Sequence, residues 1–203
     1  MTPSPLPPWP SRAPTRGAIR LRAVLETDAA MAQELSTDPY IPHIGTLPAH
    51  ADRAEAHAWV QRQQGRHAEG SGFSFAMEEA STGKAVGHCG LWLRELGTGL
   101  ATAGYAVVPS ARGRGYAAEA LTALTEFGWT VPGLERIALY IEPWNAASIR
   151  TAERAGYGFE ELLPAYQVIA GEPRDMLLYS ATREAPPRDR TSGEDEESAS
   201  TGK

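Results

Sequence analysis

Ala103-Gly104-Tyr105-Ala106-Val107-Val108-Pro109-Ser110-Ala111-Arg112-Gly113-Arg114-Gly115-Tyr116-Ala117 reads as a strand, a tight loop and the opening of a helix. The run 102–108 has strand composition, and Pro109 has no N–H with which to extend a ladder. Gly113 and Gly115 allow several backbone N–H groups to converge, and the following helix turns the positive end of its dipole toward the same point. Such a concavity is an anion site, best filled by a pyrophosphate. Arg112 and Arg114 add guanidinium groups able to form charge-assisted bonds to phosphate. Two glycines also occur in ordinary strand-to-helix turns with solvated arginines, so the surroundings must decide between the two readings.

Upstream, residues 73–79 and 84–93 are two apolar-rich runs separated by Ala80-Ser81-Thr82-Gly83, which is hairpin chemistry. With 102–108 they are expected as three adjacent antiparallel strands. Ile19-Arg20-Leu21-Arg22-Ala23-Val24 alternates like a half-buried strand, and 26–36 reads as a short helix with Thr27 as its cap. Pro39, Pro42 and Pro48 exclude regular structure until a second helix over 49–64. Downstream, Ala117, Leu121, Leu124 and Gly128 share one face of a helix over 115–129. A strand at 136–141, a helix at 145–155 stopped by Gly156, and strands near 157–167 and 174–180 follow. The order β-α-α-β-β-β-α-β-α-β-β predicts an α/β (α+β) domain whose mixed, mostly antiparallel sheet has about seven strands and about four helices.

Of the 203 residues, 18–183 are expected to form this one domain. The Pro-rich segment 1–17 and the polar, acidic segment 184–203 lack the apolar content to offset ordering entropy and are expected to be disordered. The formal charge is −6, half of it from 184–203, and no basic stripe is present, so no nucleic-acid partner is expected. No apolar run is long enough for a membrane span and no secretory signal is evident, which points to the cytoplasm. The single Cys89 has no partner for an internal disulfide and reads as a small buried residue. His43, His50 and His57 fall seven apart, but Pro48 interrupts them and no further ligands complete a set, so no metal is expected.

Arg112-Gly113-Arg114-Gly115-Tyr116-Ala117 resembles the R/Q-x-x-G-x-G/A signature of GNAT acetyltransferases, with Val107-Val108-Pro109 at the V-x-P position before it. Ile141-Glu142-Pro143-Trp144-Asn145-Ala146-Ala147-Ser148-Ile149 and Glu153-Arg154-Ala155-Gly156-Tyr157 are similar to the N-x-x-S…E-x-x-G-F/Y segment of the RimJ/RimL-like branch, which acetylates ribosomal-protein N-termini. Gly171-Glu172-Pro173-Arg174-Asp175 is similar to that branch's G-x-x-R-D hairpin, so the resemblance covers nearly the whole expected domain. It implies a GNAT fold, splayed between the fourth and fifth strands, 102–108 and 136–141, with the pantetheine arm of acetyl-CoA in the gap. Val107 and Val108 would pair with that arm through their backbones, and one N–H would polarise the thioester carbonyl. The N–H groups of Gly113, Arg114, Gly115, Tyr116 and Ala117 would hold the pyrophosphate. Asn145 would reach CoA from the start of its helix, a role compatible with capping that helix.

Acyl transfer to an amine needs a neutral amine, a stabilised oxyanion and a proton for the departing thiolate. Many relatives use a Tyr seven residues after the Asn for that proton; here Ala152 stands there. Ser148 matches the Ser that the RimL-like branch is thought to use, and is equally readable as a polar first-turn residue. The family's frequent carboxylate two residues before Gly104 is replaced by Thr102. Glu142 is the candidate base, acting through water, against a plain solvated charge at a strand end. His88 is a second candidate, against a structural strand histidine. Trp59 and Trp92 either line the acceptor cleft or fill the core. The expected activity is acetyl transfer from acetyl-CoA to a primary amine, a protein N-terminus or a small molecule, by direct attack in a ternary complex, in a monomer or homodimer. The alternatives are a non-catalytic acyl-CoA sensor or scaffold, and a transferase using another donor such as succinyl-CoA.

Overall fold

A computed structural model describes residues 6–183. Among these, eight strands form one sheet in the order β1-β2-β3-β4-β5-β6-β8-β7. In chain order they are β1 (Thr15–Arg16), β2 (Ile19–Ala23), β3 (Gly72–Glu79), β4 (Ala85–Trp92), β5 (Leu100–Val107), β6 (Arg136–Ile141), β7 (Gly158–Ile169) and β8 (Glu172–Thr182). The helices are α1 (Ala29–Ser36), α2 (Ile41–Ile44), α3 (Arg53–Gly65), α4 (Tyr116–Gly128) and α5 (Ala146–Arg154). All strand pairs are antiparallel except β5 with β6. This is the mixed, mostly antiparallel sheet expected, with one more strand and one more helix: the two-residue β1 and the single-turn α2.

Why β2 to β5 form the centre follows from their side chains. Ile19 and Leu21 are fully buried on one face of β2, while Arg20 and Arg22 on the other face meet the buried Glu78 carboxylate of β3. β3 is buried along almost its whole length because both its faces are covered. Phe127 of α4 packs edge-on against Phe73 and Phe75, at ring distances of 4.8 and 5.4 Å. On the opposite face Trp59 of α3 meets His88 of β4 at 5.0 Å. α4 buries Ala120, Leu121, Leu124 and Phe127, so its apolar stripe faces the sheet as the spacing requires.

Three local expectations are corrected. Asp28, not Thr27, starts α1: its carboxylate accepts from the Leu25 N–H at 2.8 Å and pairs with Arg22, after a short 3-10 turn over Glu26–Asp28. α3 begins at Arg53 rather than residue 49, because Asp52 accepts from the Glu55 N–H and Glu55 returns a bond to the Asp52 N–H, a capping box. Within the Pro-rich loop, Pro42 sits in the first turn of α2, where no intrahelical donor is lost.

Of the segment 1–17, residues 6–17 are described and lie against the sheet. Trp9 lies against Phe73, Phe75 and His67 at 5.6, 4.9 and 5.7 Å, and the Pro7 carbonyl is 2.9 Å from His67 Nε2. The Leu21 N–H donates to the Pro14 carbonyl, and β1 then pairs with β2. One large aromatic side chain covers an apolar face here, and the prolines have little chain entropy to lose on ordering. The expected tail 184–203 lies outside the described residues.

Candidate active site

The sheet opens where β5 and β6 part. Leu100, Ala101 and Thr102 pair with Arg136, Ile137 and Ala138, and the pairing stops there. β5 stays with β4 as far as Val107 opposite Gly87, while β6 stays with β8 as far as Ile141 opposite Leu177. The splay expected between the fourth and fifth predicted strands is this gap. Along β5 the backbone groups of alternate residues turn to opposite sides. The Val108 N–H donates to the Val86 carbonyl at 3.0 Å, so Val108, Ala106 and Gly104 face β4. Val107, Tyr105 and Ala103 therefore turn their N–H and C=O groups into the gap. Val107 turns its N–H into the gap, and its carbonyl accepts from Arg112 Nε at 3.1 Å. Val108 does not face the gap, because its N–H is spent inside the sheet, and Tyr105 takes its place.

Beyond Pro109 a short 3-10 turn leads into the cradle. Gly113 and Gly115 have φ of +78° and +84°, left-handed values that glycine adopts without strain. Gly115 is the N-cap residue of α4 and supplies no capping side chain. Among the described residues the N–H groups of 113–117 meet no acceptor. A Cβ built on Gly113 or Gly115 would meet no atom within 4 Å, so the concavity is open. Unpaired donors, a helix N-terminus and free space are together what an anion requires.

The two arginine side chains of this loop are held differently. Arg112 is held back from the cradle: its Nη2 donates to Asp38 Oδ2 at 2.6 Å and its Nε to the Val107 carbonyl at 3.1 Å. Asp38 also accepts from the N–H groups of Tyr40 and Ile41, at 2.7 and 2.9 Å. Burial by itself would raise the Asp38 carboxyl, but the Ile41 and Tyr40 N–H groups and the Arg112 guanidinium outweigh it and hold it below the usual carboxylate range. The Arg112–Asp38 pair thus ties the loop after α1 to the loop before α4. Arg114 is exposed and 3.8 Å from Glu79, a loose surface pair that an arriving phosphate can replace. Tyr116 donates its hydroxyl to Glu79 and is otherwise buried, so it offers the cradle only its N–H.

Across the gap, Asn145 caps α5 by accepting from the Ser148 N–H at 3.0 Å, which leaves its Nδ2 without a partner among the described residues. Ser148 lies in the first turn of α5, half-buried, with Oγ 2.7 Å from the Tyr105 hydroxyl. Burial raises the Tyr105 phenol, against the Ser148 and Thr151 hydroxyls, which lower it. Glu142 departs from expectation. It is 4% exposed rather than solvated, it does not line the cavity, and Arg174 Nε is 3.9 Å away. Burial and the Glu142 carboxylate both raise the neighbouring Tyr40 phenol. His88 is structural: Ser74 donates to Gln63 at 3.1 Å and so accepts from His88 Nε2, at 2.7 Å. Burial, then the Arg66 charge, push the His88 imidazole down to about 4. Trp59 is core, and Trp92 lies beneath the Arg66 guanidinium, 5.5 Å from its ring centre, away from the gap.

One cavity of about 630 Å³ joins the cradle, the gap, Ser148, and a wall made by Tyr40, Ile44 and Trp144. Tyr40 and Trp144 meet edge to face at 4.9 Å, and Trp144 is 62% exposed at the mouth. Asp38 is the cavity's one described carboxylate, and Arg112 neutralises it. Among the described residues no group of three or more His, Cys, Asp or Glu could hold a metal ion, and no helix is long and apolar enough to cross a membrane. The residues missed in the sequence divide by cause. Tyr105 follows from strand parity once Val108 is known to face β4. The Arg112–Asp38 and Tyr40–Trp144 contacts join segments far apart in the chain and carry no local signal.

Residues 18–158 match a family model described as Acetyltransferase (GNAT) domain. An uncharacterised N-acetyltransferase of Bacillus licheniformis, p20, is 26% identical over 162 residues, 80% of this chain and 91% of that protein. Among solved structures, RimJ of Mycobacterium smegmatis in complex with a CoA disulfide has a TM-score of 0.71 at 26% identity, over 91% of this chain and 88% of its own. RimL, a ribosomal L7/L12 alpha-N-protein acetyltransferase in complex with coenzyme A, has a TM-score of 0.72 over 84% of this chain and 97% of its own. At 20% identity that second likeness is one of fold.

Proposed function

The chain belongs to the GNAT acetyltransferase family, whose reaction is acetyl-CoA-dependent acetyl transfer, and from that premise we propose that it acetylates a primary amine by direct attack in a ternary complex. The acceptor is a protein N-terminus or a small-molecule amine. We assign the activity to residues 18–183. The observation that carries this reading is the single cavity running from the unpaired N–H groups of 113–117, through the β5–β6 gap, to Ser148 and the Tyr40–Trp144 wall.

Acetyl-CoA supplies an activated acyl group as a thioester. The N–H groups of Gly113, Arg114, Gly115, Tyr116 and Ala117 hold its pyrophosphate, and their lack of internal partners and the open space before them suit that anion. Backbone groups of Val107 and Tyr105 pair with the pantetheine arm, and an N–H of this set polarises the thioester carbonyl. Asn145 directs its Nδ2 to the same arm while its Oδ1 caps α5. Ser148 gives its hydroxyl proton to the departing sulfur and recovers one from water; the amine has released one, so the protons balance. Glu142 braces the acceptor wall through Tyr40 and Arg174, and water takes the amine's proton.

Incubation of the full chain with acetyl-CoA and a panel of peptides and small amines, followed by thiol release and product mass, tests the proposal. Acetylated product is expected with at least one class of amine. Tight acetyl-CoA binding with no thiol release from any acceptor would favour the sensor reading, and faster release from succinyl-CoA would change the donor. Ser148→Ala is expected to lower kcat by about 10²-fold, the low end for an acid–base group because a thiolate already leaves readily. Its acetyl-CoA Kd should stay unchanged, since the cradle is untouched. Wild-type kcat would remove Ser148 from the reaction.

A further inference from the structure

Tyr105 stands on β5 and Ser148 on α5, on opposite sides of the gap, yet their hydroxyl oxygens are 2.7 Å apart. Tyr105 lines the cavity beside Ser148, and the Ser148 carbonyl, at 3.2 Å, is a weaker second acceptor for its hydroxyl. In a pair of hydroxyls one donates. A phenol is the stronger acid and the poorer acceptor, so Tyr105 O–H donates to Ser148 Oγ, and the serine proton is left free to point into the cavity.

We infer that Tyr105 is a positioning residue for Ser148: it fixes the serine rotamer, keeps the serine proton available to the acyl-CoA sulfur, and meets the charge that grows on Oγ as that proton leaves. The inference rests on the reading of Ser148 as proton donor. In the step, the Ser148 O–H bond breaks as the S–H bond of CoA forms, and the electron pair left on Oγ is held by the Tyr105 O–H until water returns a proton. Tyr105 gives up no proton of its own. Its burial keeps the phenol protonated and donating throughout the neutral pH range. Without the phenol, the Ser148 hydroxyl loses the partner that fixes its rotamer and can turn freely within the cavity.

A double-mutant cycle tests this with two readouts, using Tyr105→Phe, Ser148→Ala and the double variant. In thermal unfolding without ligand, the two single losses in Tm are expected to exceed the loss in the double variant when summed, because both remove the same bond. In turnover, Tyr105→Phe is expected to lower kcat about tenfold with acetyl-CoA Kd within about twofold, and to have no further effect when Ser148 is already Ala. Wild-type kcat in Tyr105→Phe, with Ser148→Ala impaired, overturns the inference and leaves the Ser148 reading intact. Multiplicative losses also overturn it, since Tyr105 would then act independently. A silent Ser148→Ala variant overturns both.

Discussion

Replacing Gly115 by alanine separates the cost to the fold from the cost to the cofactor. At φ +84° an L residue is strained by roughly 1–2 kcal/mol, but the added Cβ would meet no protein atom within 4 Å, so no packing clash accompanies the strain. For a domain of this size that loss lowers Tm by roughly 2–8 °C. The new methyl group stands in the open cradle, where a phosphate must approach the N–H groups of Gly115 and Tyr116 to about 2.8 Å. Displacing it from both removes two charge-assisted bonds of roughly 1.5–3 kcal/mol each, a loss of about 3–6 kcal/mol. Acetyl-CoA should then bind about 10²–10⁴-fold more weakly. Calorimetric titration measures this directly. Thermal shift provides a check, because wild-type protein at one hundred times its Kd gains about 2.7 kcal/mol and the variant at that concentration gains at most about 0.4 kcal/mol. A variant that shows the small Tm loss and yet binds acetyl-CoA within threefold of wild type would refute the pyrophosphate assignment.

Two further perturbations test the frame that carries the site. His88, with its folded pKa near 4 against 6.5, refuses a proton that the unfolded chain accepts, so its contribution is full above pH 6.5 and is lost as pH falls toward 4, by up to about 3 kcal/mol. Urea unfolding at pH 7 and 4.5 should show a smaller acid loss in His88→Gln than in wild type; equal losses would place the titration elsewhere. Trp9→Ala should destabilise by about 2 kcal/mol, less than a core tryptophan because the ring is half-buried, and should leave acetyl-CoA Kd unchanged. Denaturant melts of that variant coinciding with wild type would show the N-terminal strap to be idle.

Where local chemistry suffices, the sequence could be read. Residues 136–141 are a strand in both readings because β-branched and aromatic side chains there are bounded by Gly133 and by Pro143. The hairpin at 80–83 and the glycines of the cradle are equally local, since each depends on the φ of one or two residues. Trp9 was hidden by composition: a Pro-rich segment is scored by its many prolines, whereas a single ring on Phe73 and Phe75 decides its fate. The partner of Arg112 was hidden for a related reason. A basic side chain beside a phosphate loop invites a phosphate, but Asp38, 74 residues earlier, arrives through the packing of α1 and claims the guanidinium. Glu142 looked solvated because strand ends commonly are, whereas Tyr40 and the β8 residue Arg174, both distant in the chain, stand beside it. Which way Val108 faces is a matter of parity, which depends on the register with β4 and so on the partner strand.

That parity constrains how the chain can change. Main-chain atoms of Val107 and Tyr105 face the gap, so the grip on a pantetheine arm has little to do with the identity of the side chain at 107. Exchanging Val107 for isoleucine or threonine would leave the same N–H and C=O in place. A single inserted residue between Thr102 and Val107 would instead turn the downstream half of β5 over, presenting to the gap the groups that now bind β4 and burying those that now face it. Two inserted residues would restore the pattern at the expense of a bulge. The thioester end of this site should therefore tolerate point substitution far better than odd-numbered changes in length.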